Sequence, residues 1–380
     1  MKYDAELIKS YSTKEFEEKY EYKGKDLGCN FTDEGIVFKV WSPLAEKITL
    51  NIYKSGEVKG SYIPGASESI SDKINDNDND KASDNINGRA SDNTNDKIKE
   101  YPMTPEDKGV WSCVTDKDIE NLFYDFTVEH KDGSIYTTID PYAKACGVNG
   151  RRGMVVDLSK TDPEGWDDDN RVLPNSVCDC VIYEMHIRDF SADPKSGIKN
   201  RGKFLGISEK GTSYNGYKTG MDYLKELGIT HVHLLPFYDY TMLDETEPYD
   251  ENKYNWGYDP LNYNVPEGSY SSDPYDGRVR IKELKQMIKE LHENGIGVIM
   301  DVVYNHTFNE DFSFNKLVPG YFYRFNEKGK LSNGSRCGND VASERCMVSR
   351  FISDSVYYWA KEYHIDGFRF DLLGLWIPIP

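Results

Sequence analysis

Two short strings in this 380-residue chain concentrate side chains that could do chemistry. DVVYNH (301–306) carries Asp301, Asn305 and His306, and GFRFDLLG (367–374) carries Arg369 and Asp371. Arg369 and Asp371 are two apart, so on a strand they share a face. THVHLLPF (230–237) sets His231 and His233 on one side in the same way. A barrel interior is normally filled by branched apolar residues, so an Arg-x-Asp pair inside one is either a satisfied structural ion pair or catalytic. The 28 tyrosines outnumber the 16 phenylalanines. That balance favours surfaces that stack and hydrogen-bond at once, as sugars require.

The elements that must position these residues alternate from residue 177 onward. CDCVIYEMHI (178–187) reads as a buried strand, TGMDYLKELG (219–228) as a helix and THVHLLPF as a second strand. RIKELKQMIKELHENG (280–295) is a helix with apolar residues at 281, 284, 287, 288 and 291. GVIMDVVYNH (297–306), FISDSVYYWAKEYH (351–364) and GFRFDLLG then read as strand, helix and strand. Alternation of this kind predicts a parallel sheet flanked by helices. Elaborate loops after each strand favour a TIM barrel, and no glycine fingerprint after the first strand supports a doubly wound sheet. Four strands and three helices make the first half of an eightfold barrel, over 177–380. Pro378 and Pro380 stand where a fourth helix should begin, so the expectation is a chain truncated within the barrel.

Upstream, GIVFKVWSP (35–43), KITLNIY (47–53), GVWSCVT (109–115) and LFYDFTVEH (122–130) alternate apolar and polar residues between turn signals. They predict an all-β immunoglobulin-like sandwich over 25–135, after a short N-terminal segment at 1–24. Residues 66–100 have no aromatic residue and are dominated by Asn, Asp, Ser and Lys, so they read as a disordered insertion in one inter-strand loop. Asp76, Asp78 and Asp80 resemble the start of a calcium loop there, but Lys81 replaces the turn glycine and Asn87 the bidentate glutamate. A Gly-, Asp- and Pro-rich connector spans 136–176.

Composition excludes several partners. The formal charge of −19 argues against nucleic acid and against an anionic membrane surface. No apolar run approaches the roughly 20 residues that cross a bilayer, and the mixed-charge N-terminus is no secretory signal. Seven scattered cysteines form no metal set; Cys178 and Cys180 are expected on one strand face. Free thiols fit a cytoplasmic protein.

With these residues in place, a family resemblance emerges. DVVYNH and GFRFDLLG resemble the first two conserved regions of the alpha-amylase superfamily of retaining glycoside hydrolases. YNWGYDP (254–260) resembles the signature of type I pullulanases, which cut α-1,6 branches in pullulan, starch and glycogen; YEMHIRDFS (183–191) and DPYAKACGVNGRRGMVVDL (140–158) resemble the same group. VWSPLAEKITL (40–50) resembles the carbohydrate-binding module that precedes isoamylases and pullulanases. The resemblance implies that Asp371 is the nucleophile, with Arg369 keeping it ionised and oriented. It implies that His306 bonds the glucose at the cleavage point and that Tyr258 is the platform beneath it, with Trp256 and Asp259 alongside. Asp301 would be a structural partner within that substrate site. Asn305 matches a position that binds calcium in many amylases; no cofactor is otherwise required. The partner implied is a branched α-glucan polysaccharide.

A retaining glycosidase needs two carboxyl groups about 5–5.5 Å apart. The family's acid/base Glu follows the fifth strand and its His-Asp pair the seventh, so the 380 residues alone are expected to be inactive. Neither Glu184, on the first strand, nor Asp366, at the opposite barrel end, substitutes. An alternative class is a non-catalytic α-glucan-binding protein, with Trp41 and Trp111 as candidate anchors. A third is a half barrel that does not fold stably.

Overall fold

Alternation in IVFKVW and KITLNIY turns one face of each strand toward a partner sheet, and the computed structural model shows that pairing. It describes residues 3–58, 96–247, 250 and 253–375. Two short helices come first, α1 (Ala5–Ser10) capped by Asp4 and α2 (Lys14–Tyr20) capped by Thr13. The sandwich follows as β1 (Gly28–Phe31), β2 (Ile36–Trp41), β3 (Ala45–Tyr53), β4 (Lys97–Pro102), β5 (Thr104–Pro105), β6 (Val110–Thr115), β7 (Phe123–His130) and β8 (Ile135–Thr138). One antiparallel sheet has the order β1-β2-β6-β5 and the other β4-β3-β7-β8. Ile36 and Phe38 from one sheet and Ile48, Leu50, Ile52, Phe126 and Val128 from the other are fully buried between them. Each such side chain contributes about 1.5–3 kcal/mol by leaving water.

The boundaries differ from expectation at two places. Residues 97–100, assigned to the insertion, begin β4 and pair with β3 from Asn51 to Tyr53. The rest of the insertion from 66 to 95, with the Asp76–Asp80 run, lies outside the described residues. The connector supplies β9 (Gly153–Met154), which pairs with the start of β7, so the sandwich reaches past residue 135. Trp41 and Trp111 are buried: the Trp41 indole donates to Tyr20 O and Lys108 O, and the Trp111 indole to Ser42 O, each at 3.0 Å. Neither can anchor a glycan in this arrangement. Trp41 instead meets Tyr321, a barrel-loop residue, edge-on at 4.8 Å, and so glues the two domains together.

In the barrel region the elements are β10 (Ile182–Met185), α3 (Ile187–Ser191), α4 (Phe204–Ser208), a hairpin of β11 (Ser213–Tyr214) and β12 (Tyr217–Lys218), and α5 (Gly220–Leu227). Then come β13 (His231–Leu234), β14 (Tyr238–Tyr240), β15 (Pro260–Pro266), α6 (Gly277–Glu293), β16 (Gly297–Val302), α7 (Ser313–Leu317), α8 (Cys346–Glu362) and β17 (Gly367–Phe370). The sheet order is β10-β13-β16-β17, with every pair parallel. Each new strand adds beside the last, which winds a barrel; a doubly wound sheet would reverse direction. Helix α6 shows why the sequence does this. Asp276 caps it, Ile281, Leu284, Met287, Ile288 and Leu291 are fully buried on one stripe, and Gly295 turns the chain at φ 73°.

The first strand is shorter and more exposed than its sequence predicts. Cys178 lies in a 3-10 turn at Val177–Asp179 and Cys180 follows it, so the two do not share a strand face. Val181 and Ile182 are about half exposed. The apolar run predicts burial on both faces, whereas β10 pairs only with β13 and forms the edge of the described sheet.

Candidate active site

Parallel register carries the two chemical strings to one place. Asp301 on β16 pairs directly with Arg369 on β17. Arg369 Nη1 donates to Asp301 Oδ1 at 3.1 Å and to Asp371 Oδ1 at 2.7 Å, so one guanidinium joins both carboxylates. Asp371 N donates to Val302 O at 2.9 Å, which extends the strand pairing just past β17 and fixes the backbone beneath the carboxylate. The Asp371 side chain is 14% exposed, which leaves it reachable from solvent. Burial works against the Arg369 charge, but Asp301 and then Asp371 outweigh it and raise its pKa. Asp301 itself is fully buried. Grouped by resemblance with the substrate contacts, it cannot touch a sugar in this geometry and acts through Arg369 and Tyr258.

The heptapeptide lies between β14 and β15 and is pinned from beneath. Asn255 Nδ2 donates to Thr241 O (2.7 Å) and Asp259 Oδ2 (3.0 Å), and Asn255 Oδ1 accepts from Gly257 N (2.8 Å). Gly257 has φ 85°, and a Cβ there would lie 2.7 Å from Pro236 O, so this turn admits only glycine. The Tyr258 hydroxyl donates to Asp301 Oδ2 at 2.7 Å. Trp256 is 61% exposed and stands edge-on to Tyr254, their rings 6.3 Å apart, which makes an open aromatic surface beside Tyr258. Asp259 turns its carboxyl inward to Asn255; burial pushes its pKa well above the usual carboxylate range. Half-buried, it orders the turn.

His306 is 4% exposed. Its Nε2 donates to Tyr258 O at 2.9 Å and its Nδ1 faces Asn305 Nδ2 at 2.8 Å, an arrangement that fixes the tautomer with the proton on Nε2. Burial lowers its pKa, so the ring is neutral at pH 7; Asp371 opposes that shift through space. The Asp371 charge likewise raises the pKa of Tyr258, after burial and the Asp301 bond. Asp371, Tyr258 and His306 therefore sit in one field. With both ring nitrogens committed to protein partners, His306 here orients the platform.

Among the described residues the calcium reading finds one supporting atom. Asn305 Oδ1 is buried without a hydrogen-bond partner. The loop carboxylates that could join it are engaged elsewhere: Asp340 accepts from Ser332, Gly334 and Ser335, Glu344 pairs with Arg324, and Asp311 with Lys316. A lone amide oxygen is too little for a cation that takes six to eight oxygens, so these residues do not fit calcium. Among the described residues, Asp239, Glu245 and Glu267 bring carboxylate oxygens within 4.8 Å of one another. Arg280 fills that cluster, with Nη2 at 3.0 Å from Glu245 Oε2 and Nη1 at 3.5 Å from Asp239 Oδ1.

Sequence reading missed how β10 and β13 support the site. His186 Nε2 lies 2.9 Å from Asn255 O and so holds the heptapeptide, while His233 links Glu184 to Asp301. The period-two pattern of HVHL announced a shared face for His231 and His233 but not the partners of His233, which come from other strands; His231 instead meets its neighbour Thr230 at 2.8 Å.

A parallel barrel sheet with an Arg-bridged carboxylate pair at its strand ends, behind a β-sandwich, defines a protein of the alpha-amylase superfamily of glycoside hydrolases. Family profiles agree: the alpha amylase catalytic domain matches residues 202–329, and carbohydrate-binding module 48 (isoamylase N-terminal domain) matches residues 90–143. The chain is a homologue of the pullulanases. It is 41% identical to a pullulanase of Bacillus subtilis over 98% of its own length and 46% of that protein. The crystal structure of a Paenibacillus barengoltzii pullulanase complexed with maltohexaose and alpha-cyclodextrin superposes with a TM-score of 0.83 at 41% identity, covering 98% of this chain and 52% of the other. A Bacillus acidopullulyticus pullulanase gives a TM-score of 0.80 at 44% identity, covering 94% and 39%. The chain thus spans about half the length of these relatives.

Proposed function

We propose that this chain carries the nucleophile half of a debranching glycoside hydrolase acting on α-1,6-glucosidic linkages in pullulan, starch or glycogen. The observation that carries the reading is the Arg369–Asp371 contact of 2.7 Å, set beside the Tyr258 ring within the field of His306. A glucose resting on Tyr258 presents its anomeric carbon to Asp371, because the sugar's C–H face packs on the ring while its hydroxyls point outward. Asp371 attacks that carbon with inversion, the glycosidic C–O bond breaks, and the departing glucan oxygen takes a proton from a general acid. Water then releases the sugar from the aspartyl ester with a second inversion, giving net retention.

The carboxylates seen bonded into this cluster cannot supply that acid. Asp301 is buried under Arg369, and Glu184 pairs with His233. The reading therefore assigns acid/base work to residues other than these, and the 380 residues alone should bind without sustained turnover. Reducing-sugar release from pullulan, glycogen and amylose tests this. The isolated chain should release none, whereas a protein that joins it to a competent second barrel half should favour pullulan over amylose. Rapid turnover of pullulan by the isolated chain contradicts the division of labour, and preference of the joined protein for amylose contradicts the linkage.

Binding without cleavage is the second reading, and Trp256 is the observation that favours it, since an exposed indole offers a stacking surface whatever the chemistry. Retardation in pullulan gels without hydrolysis would support binding, and the Asp371 chemistry decides whether binding is all.

A further inference from the structure

His233 lies on β13, midway between two carboxylates from the flanking strands. Its Nδ1 is 3.3 Å from Glu184 Oε2 on β10 and its Nε2 is 3.2 Å from Asp301 Oδ2 on β16. A carboxylate only accepts, so the Asp301 contact is a hydrogen bond donated by Nε2–H, while Glu184 lies beside the ring without one. The two ends differ in what they can find elsewhere. The Glu184 side chain is 65% exposed and water can satisfy it, whereas Asp301 is fully buried and has only protein donors. Those donors are Arg369 on Oδ1, and Tyr258, His233 and a longer Arg369 contact of 3.3 Å on Oδ2. Asp301 in turn holds the guanidinium that holds Asp371. The chain of contacts runs His233, Asp301, Arg369, Asp371.

We propose that His233 is a positioning residue for the displacement: its Nε2–H fixes the rotation of the Asp301 carboxylate, which keeps Arg369 over Asp371 and the Tyr258 hydroxyl in place. The inference rests on the reading of Asp371 as nucleophile. Glu184 has a lesser part, because solvent replaces it. An error of about 1 Å at a reacting centre costs on the order of a hundredfold in rate, so a misaligned Asp371 should show in the rate of attack and not in sugar affinity.

The test uses a 5-fluoro-α-maltosyl fluoride, whose fluoride departs without a general acid, so attack by Asp371 leaves a trapped glycosyl ester. Trapping rates against reagent concentration separate the saturating rate constant from the half-saturating concentration. His233→Leu should lower the saturating rate about 10- to 100-fold with little change in half-saturation. His233→Gln, whose amide nitrogen can reach the Nε2 position, should restore most of it, and Glu184→Gln should change it less than threefold. Crystal structures of the variants give a readout independent of trapping: in His233→Leu the Arg369–Asp371 hydrogen bond should be broken, and in His233→Gln kept. Where His233→Leu does not fold, His233→Asn, too short to reach Asp301, serves as the loss variant. An intact Arg369–Asp371 bond in the loss variant overturns the proposal even if the parent protein is not trapped. Absence of trapping in the parent protein strikes the nucleophile reading instead.

Discussion

The Tyr258 hydroxyl donates to Asp301 Oδ2 at 2.7 Å, so the proposed sugar platform and the support of the proposed nucleophile are hung on one buried carboxylate. Burial and that bond raise the Tyr258 pKa, so the hydroxyl keeps its proton across the working range. Tyr258→Phe keeps the ring and removes the donor. The expected result is unchanged gel retardation in pullulan, a roughly tenfold slower trapping of Asp371 and a loss of about 1 kcal/mol of stability in urea melts. Weakened retardation would show that the hydroxyl contacts sugar rather than Asp301.

On the proposed function, Trp256 bears on affinity alone. It is exposed, and its ring contact is with the similarly exposed Tyr254. Trp256→Ala should therefore shift thermal stability by no more than about 0.5 kcal/mol. Affinity for maltotetraose should fall at least tenfold by isothermal titration. Unchanged affinity would remove this indole from the substrate surface.

Arg280 is the built-in counter-ion for Asp239, Glu245 and Glu267, whose strands and loop frame the heptapeptide. Burial first, then the neighbouring carboxylates, raise the Asp239 pKa and push Glu267 up to about 7. Arg280→Met leaves this negative cluster uncompensated and should cost about 3–5 kcal/mol. Raised carboxylates bind more protons folded than unfolded, so stability in the variant should recover as pH falls from 8 toward 6. A loss that does not change with pH would mean that Arg280 acts through packing.

At the opposite end of the sheet, His292 lies between Asp169 (2.8 Å) and Asp366 (2.9 Å), clamping the connector to α6 and β17. Burial opposes its charge, but the two carboxylates prevail and bring its pKa to about 9, above the ordinary 6.5. A raised folded value gives stabilisation that is complete below about pH 6.5 and lost as pH rises through about 9. Melting temperature should fall over that interval by the equivalent of on the order of 3 kcal/mol, and His292→Gln should flatten the profile. A flat profile in the parent protein would contradict the charged clamp.

Local pattern carried much of this to the reader of the sequence. Period two in β2, β3 and β7 announced the sandwich, and the stripe from Ile281 to Leu291 announced α6, although the helix runs from Gly277 to Glu293 and not from 280 to 295. Arg369 and Asp371 were legible because strand spacing sets them two apart, with Asp371 one residue past β17 and its backbone still bonded to Val302. What was hidden depends on neighbours remote in sequence. The Val181–Ile182 run reads as buried, yet its exposure is set by which strands pair with β10. β4 begins inside a polar stretch because β3 supplies its partner, and Trp41 is buried because a barrel loop covers it. His233 gave no sign of its two carboxylates, since they come from strands some 50 and 70 residues away by chain count.

The central claim is that Asp371 forms a bond to sugar carbon. The parent protein, incubated with the 5-fluoro-α-maltosyl fluoride, digested and mapped by mass spectrometry, should carry one glycosyl adduct on the peptide that holds Asp371, absent from Asp371→Asn. An adduct on another residue, or none at saturating reagent with the protein folded, would contradict the account.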